Sequence, residues 1–234
     1  KGSVDLGFVD SFKQNFIEQD RWHYLANGLG TTLLITFFSV LIGMVLGFII
    51  AIVRFTHDKT GKMQVGNFIC RIYLTVIRGT PVVVQLLIIY FVIFASVPIS
   101  KIFVAIIAFG INSGAYVAEI VRSGIASIDD GQFEAGRSLG LNYRQTMISI
   151  ILPQAFKNVL PALANECIVL LKETSVSGYI AVQDLTKGGD IIRSQTYSAF
   201  MPLISVAIIY LVMVVVLSHF VTKLERRLRQ SDRR

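Results

Sequence analysis

Charge is what this chain has least of. Asp, Glu, Lys and Arg make up only 16% of its 234 residues, against roughly 25% in an ordinary soluble domain. The deficit falls in long stretches without a single charged side chain. That pattern excludes a water-soluble globule and makes a bilayer the solvent. Cysteine is scarce as well: Cys70 and Cys167 are the only two, too few for a disulfide framework and without metal-ligand spacing. His23, His57 and His219 are scattered, with no pair at metal spacing. No phosphate-cradling Gly-rich loop ending in Gly-Lys-Ser or Gly-Lys-Thr occurs. No Ser/Lys or His-Glu-x-x-His set supports hydrolysis within the membrane. The chain therefore offers no catalytic residue, no metal site and no cofactor site. No charged, apolar, then small-residue leader precedes the first apolar run.

What is present is apolar: 53% of the residues are hydrophobic. Leu29–Val53 is uncharged throughout. Ile72–Val97 is interrupted only by Arg78 and Pro81, and Ile102–Val121 carries Glu119 near its end. Met147–Leu171 holds Pro153, Lys157, Pro161, Asn165 and Glu166, and Ala199–Thr222 is uncharged again. Each run reaches or approaches the ~20 residues that cross ~30 Å of hydrocarbon. The expected fold is all-α, a polytopic membrane protein with about five transmembrane helices.

The segments 54–71, 122–146 and 223–234 hold 13 Lys and Arg residues, and the alternating set 1–28, 98–101 and 172–198 holds 7. The positive-inside tendency then puts the N-terminus outside and the C-terminus in the cytoplasm. The formal net charge of +7 is concentrated in the tail Lys223–Arg234 after an apolar run. That is a membrane flank, and no recognition motif suggests nucleic acid. The expected division is 1–28 as an extracellular segment, 29–222 as the transmembrane domain, and 223–234 as a basic cytoplasmic tail. Phe8, Phe12 and Phe16, four apart among polar residues, predict an amphipathic helix in the first segment, either on the outer interface or as a surface arm. Gly43 with Gly47, and Gly110 with Gly114, predict close helix packing.

The loop of about 125–152, between the third and fourth runs, is compact. Glu134 to Leu139 reads as a short helix stopped by Gly140. A second helical stretch follows, and Pro153 opens the next helix, where its missing N–H costs nothing. Such a helix-turn-helix is a peg for a soluble partner.

Here a resemblance emerges. Glu134-Ala135, then Gly140, nine residues, then Ile150-x-Leu152-Pro153 resembles the coupling-loop signature of ABC importer permeases. Gly136 stands where that family usually has Ala, a departure worth ~1 kcal/mol of helix propensity. Arg78-Gly79-Thr80-Pro81 with Gln85, the stretch Gly114 to Ile125, Asn165-Glu166 and Leu171 to Ser175 are similar to segments of the polar amino-acid permeases within it. The likeness runs from about Leu25 to Arg226. It implies a type I importer fold in the bacterial cytoplasmic membrane, with a second permease subunit of the same or a sister chain. It also implies two ATPase subunits that carry ATP and Mg2+, and an extracellular amino-acid-binding protein or domain. Glu134, Ala135, Gly136, Ser138, Leu139 and Gly140 would then contact the ATPase.

Ionisable groups inside spans cost about 2.5–3.5 kcal/mol each on insertion scales and default to functional hypotheses. Arg78 and Glu119 read as a structural ion pair or as a transport pair. The prolines of the fourth run suggest a broken helix, and broken helices line cavities. Gln85, Asn112, Asn165 and Glu166 are therefore the candidates for a path that accepts an ammonium and donates to a carboxylate, unless they only bond helix to helix. The alternative function is an ion-coupled secondary transporter of small polar solutes, using Glu119 or Glu166.

Overall fold

The computed structural model describes residues 7–231. The first six residues of the segment 1–28 and the last three of the basic tail, Arg233 and Arg234 among them, lie outside this range. Among the described residues every regular element is helical.

A short helix, α1 (Phe8–Phe12), runs on as a π-turn to Ile17. The phenylalanine stripe divides: Phe8 and Phe12 are exposed, while Phe16 is buried. Helix α2 (Trp22–Thr60) has 39 residues. At 1.5 Å per residue it measures about 58 Å, more than a hydrocarbon core needs, and it includes the charged residues Arg54, Asp58 and Lys59 beyond the apolar run.

The second apolar run is not one straight helix. Helix α3 (Gln64–Gly79) and the stretch Val82–Ile93, which begins with α4 (Val82–Ile88), meet at a bend of 111°. Thr80 at the break is extended, with φ −126 and ψ 148. Pro81 causes this: its ring disfavours helical backbone at the preceding residue, and it brings no N–H to continue the ladder.

Helix α5 (Lys101–Ala126) is the third span. Then come α6 (Gly131–Ser138), α7 (Tyr143–Thr146) and α8 (Leu152–Glu173). A π-turn, Met147–Ile151, joins α7 to α8, and the Leu152 N–H reaches back to the Met147 carbonyl. Pro153 therefore does not open a free helix end: it follows the π-turn inside a continuous helical stretch, where the widened turn accommodates its missing N–H. The expected break in this span is absent, since Pro161 lies inside an uninterrupted helix. Within apolar surroundings the carbonyl that a proline frees can be satisfied by neighbouring groups. Helix α9 (Leu185–Thr196) and α10 (Phe200–Ser231) complete the chain. Among the described residues four helices are long and apolar enough to cross a membrane, and the bent pair makes up to five.

The helices pack as two compact units. The first takes the described residues up to Phe38, with Val82–Phe109 and Leu170–Val216. Its core contains Phe16, Leu25, Leu185, Ile192 and Val206. Asp184, fully buried, caps α9: its carboxylate accepts from the Lys187 N–H at 2.6 Å, the Ser177 hydroxyl at 2.5 Å and the Gly178 N–H at 3.2 Å. Burial pushes its acidity down, raising the pKa, and the donors oppose this. Asp190 shows the reverse: bonds from Lys187 and Arg193 hold its pKa below the ordinary value. The N-terminal segment is tied into this unit rather than left as an arm, since Asn15 is buried and accepts from Thr196 at 2.9 Å.

The second unit takes Ser39–Pro81, Gly110–Val169 and the described residues from Leu217. Here the paired glycines of α2 and α5 interlock. A Cβ on Gly43 would stand 2.9 Å from Ser113, and one on Gly110 would stand 2.7 Å from Ile42. Only a hydrogen fits in either place, so the two backbones approach closely.

Candidate functional site

The loop between α5 and α8 is built by local rules. Helix α6 ends in a Schellman motif: the Leu141 N–H bonds the Gly136 carbonyl at 3.0 Å, and the Gly140 N–H bonds that of Arg137 at 2.9 Å. This requires the left-handed backbone of Gly140, φ +76. Helix α7 then opens on a capping box. The Asn142 side chain accepts from the Gln145 N–H, and the Gln145 side chain from the Asn142 N–H, both at 2.9 Å.

Glu134, Ala135, Ser138, Leu139 and Gly140 are exposed on this unit, Leu139 at 75%. Gly136 is buried instead, where a Cβ would stand 2.5 Å from both Oγ1 and Cγ2 of Thr146. The departure from the family's usual Ala is thus matched by a threonine across the turn. Lys59, Phe133, Arg137 and Tyr143 help to line an adjoining groove of about 490 Å3. Lys59 Nζ lies 5.1 Å over the Phe133 ring, which stacks on Tyr143 at 6.2 Å.

A prediction follows from the Gly136 contact. Gly136→Ala gains about 1 kcal/mol of helix propensity but overpacks a site where crowding costs about 1–3 kcal/mol. It should lower the melting temperature of the purified protein, and the added change Thr146→Ala should recover it. Simple additivity of the two changes would show that the contact is not the cause.

Of the path candidates, Glu166 and Asn112 are buried in the second unit, while Asn165 is exposed there. Glu166, only 8% exposed, accepts from the Ser113 hydroxyl at 2.9 Å. Gln85, also buried, belongs to the first unit. Ser113 was missed in the sequence because one hydroxyl in an apolar run is an ordinary helix component. Its neighbour Asn112 and the facing Gly43 were the available signals.

Arg78 Nη1 lies 3.8 Å from Glu119 Oε2, and Arg54 lies 3.9 Å from the same oxygen. Arg122 pairs with Oε1 one turn along α5. One carboxylate thus gathers three guanidiniums. Arg122 was legible from its spacing to Glu119, whereas Arg54 arrives from another helix. Among the described residues no group of three or more His, Cys, Asp and Glu could hold a metal ion.

A many-spanning helical chain with a rigidly capped, exposed interhelical loop has the build of a transporter's membrane subunit. The model of the family described as "Binding-protein-dependent transport system inner membrane component" matches residues 43–230, and the chain belongs to that family. It is 37% identical over 211 residues to the arginine transport system permease protein of Bacillus subtilis, covering 89% of this chain and 94% of the relative. It is 36% identical over 207 residues to the putative glutamine transport system permease protein of Rickettsia typhi, covering 88% and 93%. Among solved structures, an amino acid ABC transporter with histidines superposes with a TM-score of 0.84 at 40% identity, over 96% of this chain and 100% of that one. An inward-facing methionine ABC transporter shares the fold, with a TM-score of 0.73 at 19% identity over 88% and 97%. The chain is a multi-pass permease subunit of the ABC importer type and not itself an enzyme.

Proposed function

We propose that this chain forms half of the translocation path for a polar L-amino acid. Its relatives are named for arginine and glutamine, which supports that cargo class. In this reading a second permease, the same chain or a sister, completes the path. Two ATPase subunits that carry ATP and Mg2+ dock on the α6–α7 loops, and an extracellular binding protein or domain delivers the substrate. Closure of the ATPases draws the loops together and switches access from outside to inside. The observation that carries the reading is the capped α6–Gly140–α7 unit. It presents Glu134 and Ala135 to solvent and turns at Gly140, the order of the resembled signature, with Ser138 and Leu139 exposed between them.

Within the bilayer, Glu166, held by Ser113, is the acceptor for the substrate ammonium. Asn112 and Asn165 of the same unit supply further polar contacts, Gln85 of the first unit stands as a separate polar candidate for the path, and the Glu119 arginine cluster fixes α2, α3 and α5 together. The Lys and Arg asymmetry supports an outside N-terminus and a cytoplasmic C-terminus.

Two measurements test this. Purified with ATPase and binding-protein partners in vesicles, the chain should support ATP-dependent uptake of one or more polar amino acids. Uptake driven by an ion gradient without ATPase would overturn the reading. In intact cells an impermeant thiol reagent should label Lys187→Cys and spare Arg226→Cys, and the reverse pattern would invert the topology.

A further inference from the structure

Helix α3 has three distinct faces. Asn67, Cys70 and Leu74 are buried. Roughly a third of a turn away, at 3.6 residues per turn, Arg71, Thr75 and Arg78 stand in a row. With Arg54 and Leu74 they line an open cleft of about 510 Å3. The remaining face is apolar and exposed along Val65, Ile69, Ile72 and Val76.

The charge around the cleft is unbalanced. Arg54, Arg78 and Arg122 share the Glu119 carboxylate, and Asp58 is the other acid that acts on Arg122. Arg71 is exposed and makes no ion pair among the described residues. Four guanidiniums thus face two carboxylates, and Arg54 Nε is buried without a hydrogen-bond partner.

We propose that this cleft holds the headgroup of an anionic phospholipid, with its acyl chains against the exposed apolar face of the same helix at Ile72 and Val76. A phosphodiester supplies the missing negative charge, and guanidinium forks match its oxygens. The apolar stripe on the same helix identifies a lipid as the source of that phosphate. A soluble anion would fill the cleft and leave the stripe bare, and a second protein copy would cover the stripe without supplying the charge. A basic amphipathic helix that binds anionic lipid is the pattern of an interfacial segment. The leaflet is the cytoplasmic one if the orientation proposed above holds.

The test uses the purified importer complex in nanodiscs of phosphatidylcholine with increasing phosphatidylglycerol and a trace of spin-labelled phosphatidylglycerol. Wild type should immobilise the label in preference to labelled phosphatidylcholine. Arg71→Gln should need about five times more phosphatidylglycerol for the same occupancy, the loss expected for one basic residue at an anionic surface. Arg71→Lys keeps the charge but not the planar fork, so it should restore only part of it. Equal immobilisation of the two lipids, no change in Arg71→Gln, or displacement by millimolar inorganic phosphate would overturn the proposal. So would disulfide crosslinking of Ile69→Cys between two permeases, because the stripe would then be a protein interface. Nanodiscs expose both leaflets, so this result does not depend on the orientation that the thiol labelling tests.

Discussion

Gly140→Val should separate ATP hydrolysis from transport. Gly140 has φ +76, and no heavy atom lies within 4 Å of where its Cβ would be. The substitution therefore meets no clash, and its cost is conformational, ~1–2 kcal/mol for an L residue in the left-handed region. A β-branched side chain pays the most there, and asparagine pays little. The chain can avoid the cost by giving up the bonds from Leu141 and Gly140 to the carbonyls of Gly136 and Arg137. That would swing α7 relative to α6 and displace Leu139. In vesicles containing the complete transporter, the Val variant should keep membrane insertion and binding-protein delivery while uptake per ATP falls several-fold. Gly140→Asn should stay close to wild type, which separates a backbone effect from loss of a small residue. If the Val variant kept the wild-type ratio of uptake to hydrolysis with its ATPase bound, the loop would not be the coupling element.

The geometry of this loop was legible in the sequence because its determinants are local. Gly140 as a stop needs only a few neighbouring residues. The capping box of Asn142 and Gln145 is equally local, but only a second helical stretch was legible there. The apolar runs were legible for a different reason, since burial in lipid is written in composition. Their ends were less so. Helix α2 continues through Arg54, Asp58 and Lys59 to Thr60 because a helix outlasts the hydrocarbon wherever polar residues accept the same backbone.

The two prolines show where sequence reasoning fell short. Pro81 and Pro161 each lie in an apolar run, yet the chain bends by 111° at the first and continues as a helix through the second. What separates them is whether surrounding helices hold the preceding residue in helical conformation, a tertiary property. The expectation of a broken fourth span therefore failed, while the break appeared in the second. The arginine cluster divides in the same way. Arg122 follows Glu119 by three residues on one helix, but Arg54 and Arg78 reach the carboxylate from α2 and α3. The Gly43–Ser113 and Gly136–Thr146 contacts could be suspected from small residues, but only the folded chain shows which partner fills the space.

Glu166→Gln is the substitution expected to weaken transport most. Glu166 is buried on α8, and its Oε1 accepts from the Ser113 hydroxyl on α5 at 2.9 Å. Glutamine keeps the shape and one accepting oxygen, so the bond from Ser113 can persist and the helix packing should hold. What disappears is the negative charge. If that charge meets the substrate ammonium, the lost charge-assisted bond is worth about 1.5–3 kcal/mol, which amounts to a factor of ten or more. The half-saturating concentration for uptake should rise accordingly, or the rate fall, with protein yield and melting temperature near wild type. Ser113→Ala provides the comparison. It removes the hydroxyl that orients the carboxylate but keeps the charge, so it should cost less than Glu166→Gln. The reverse order, or wild-type uptake in Glu166→Gln, would make the pair a helix-to-helix bond and return the search for the ammonium site to Asn112 and Gln85.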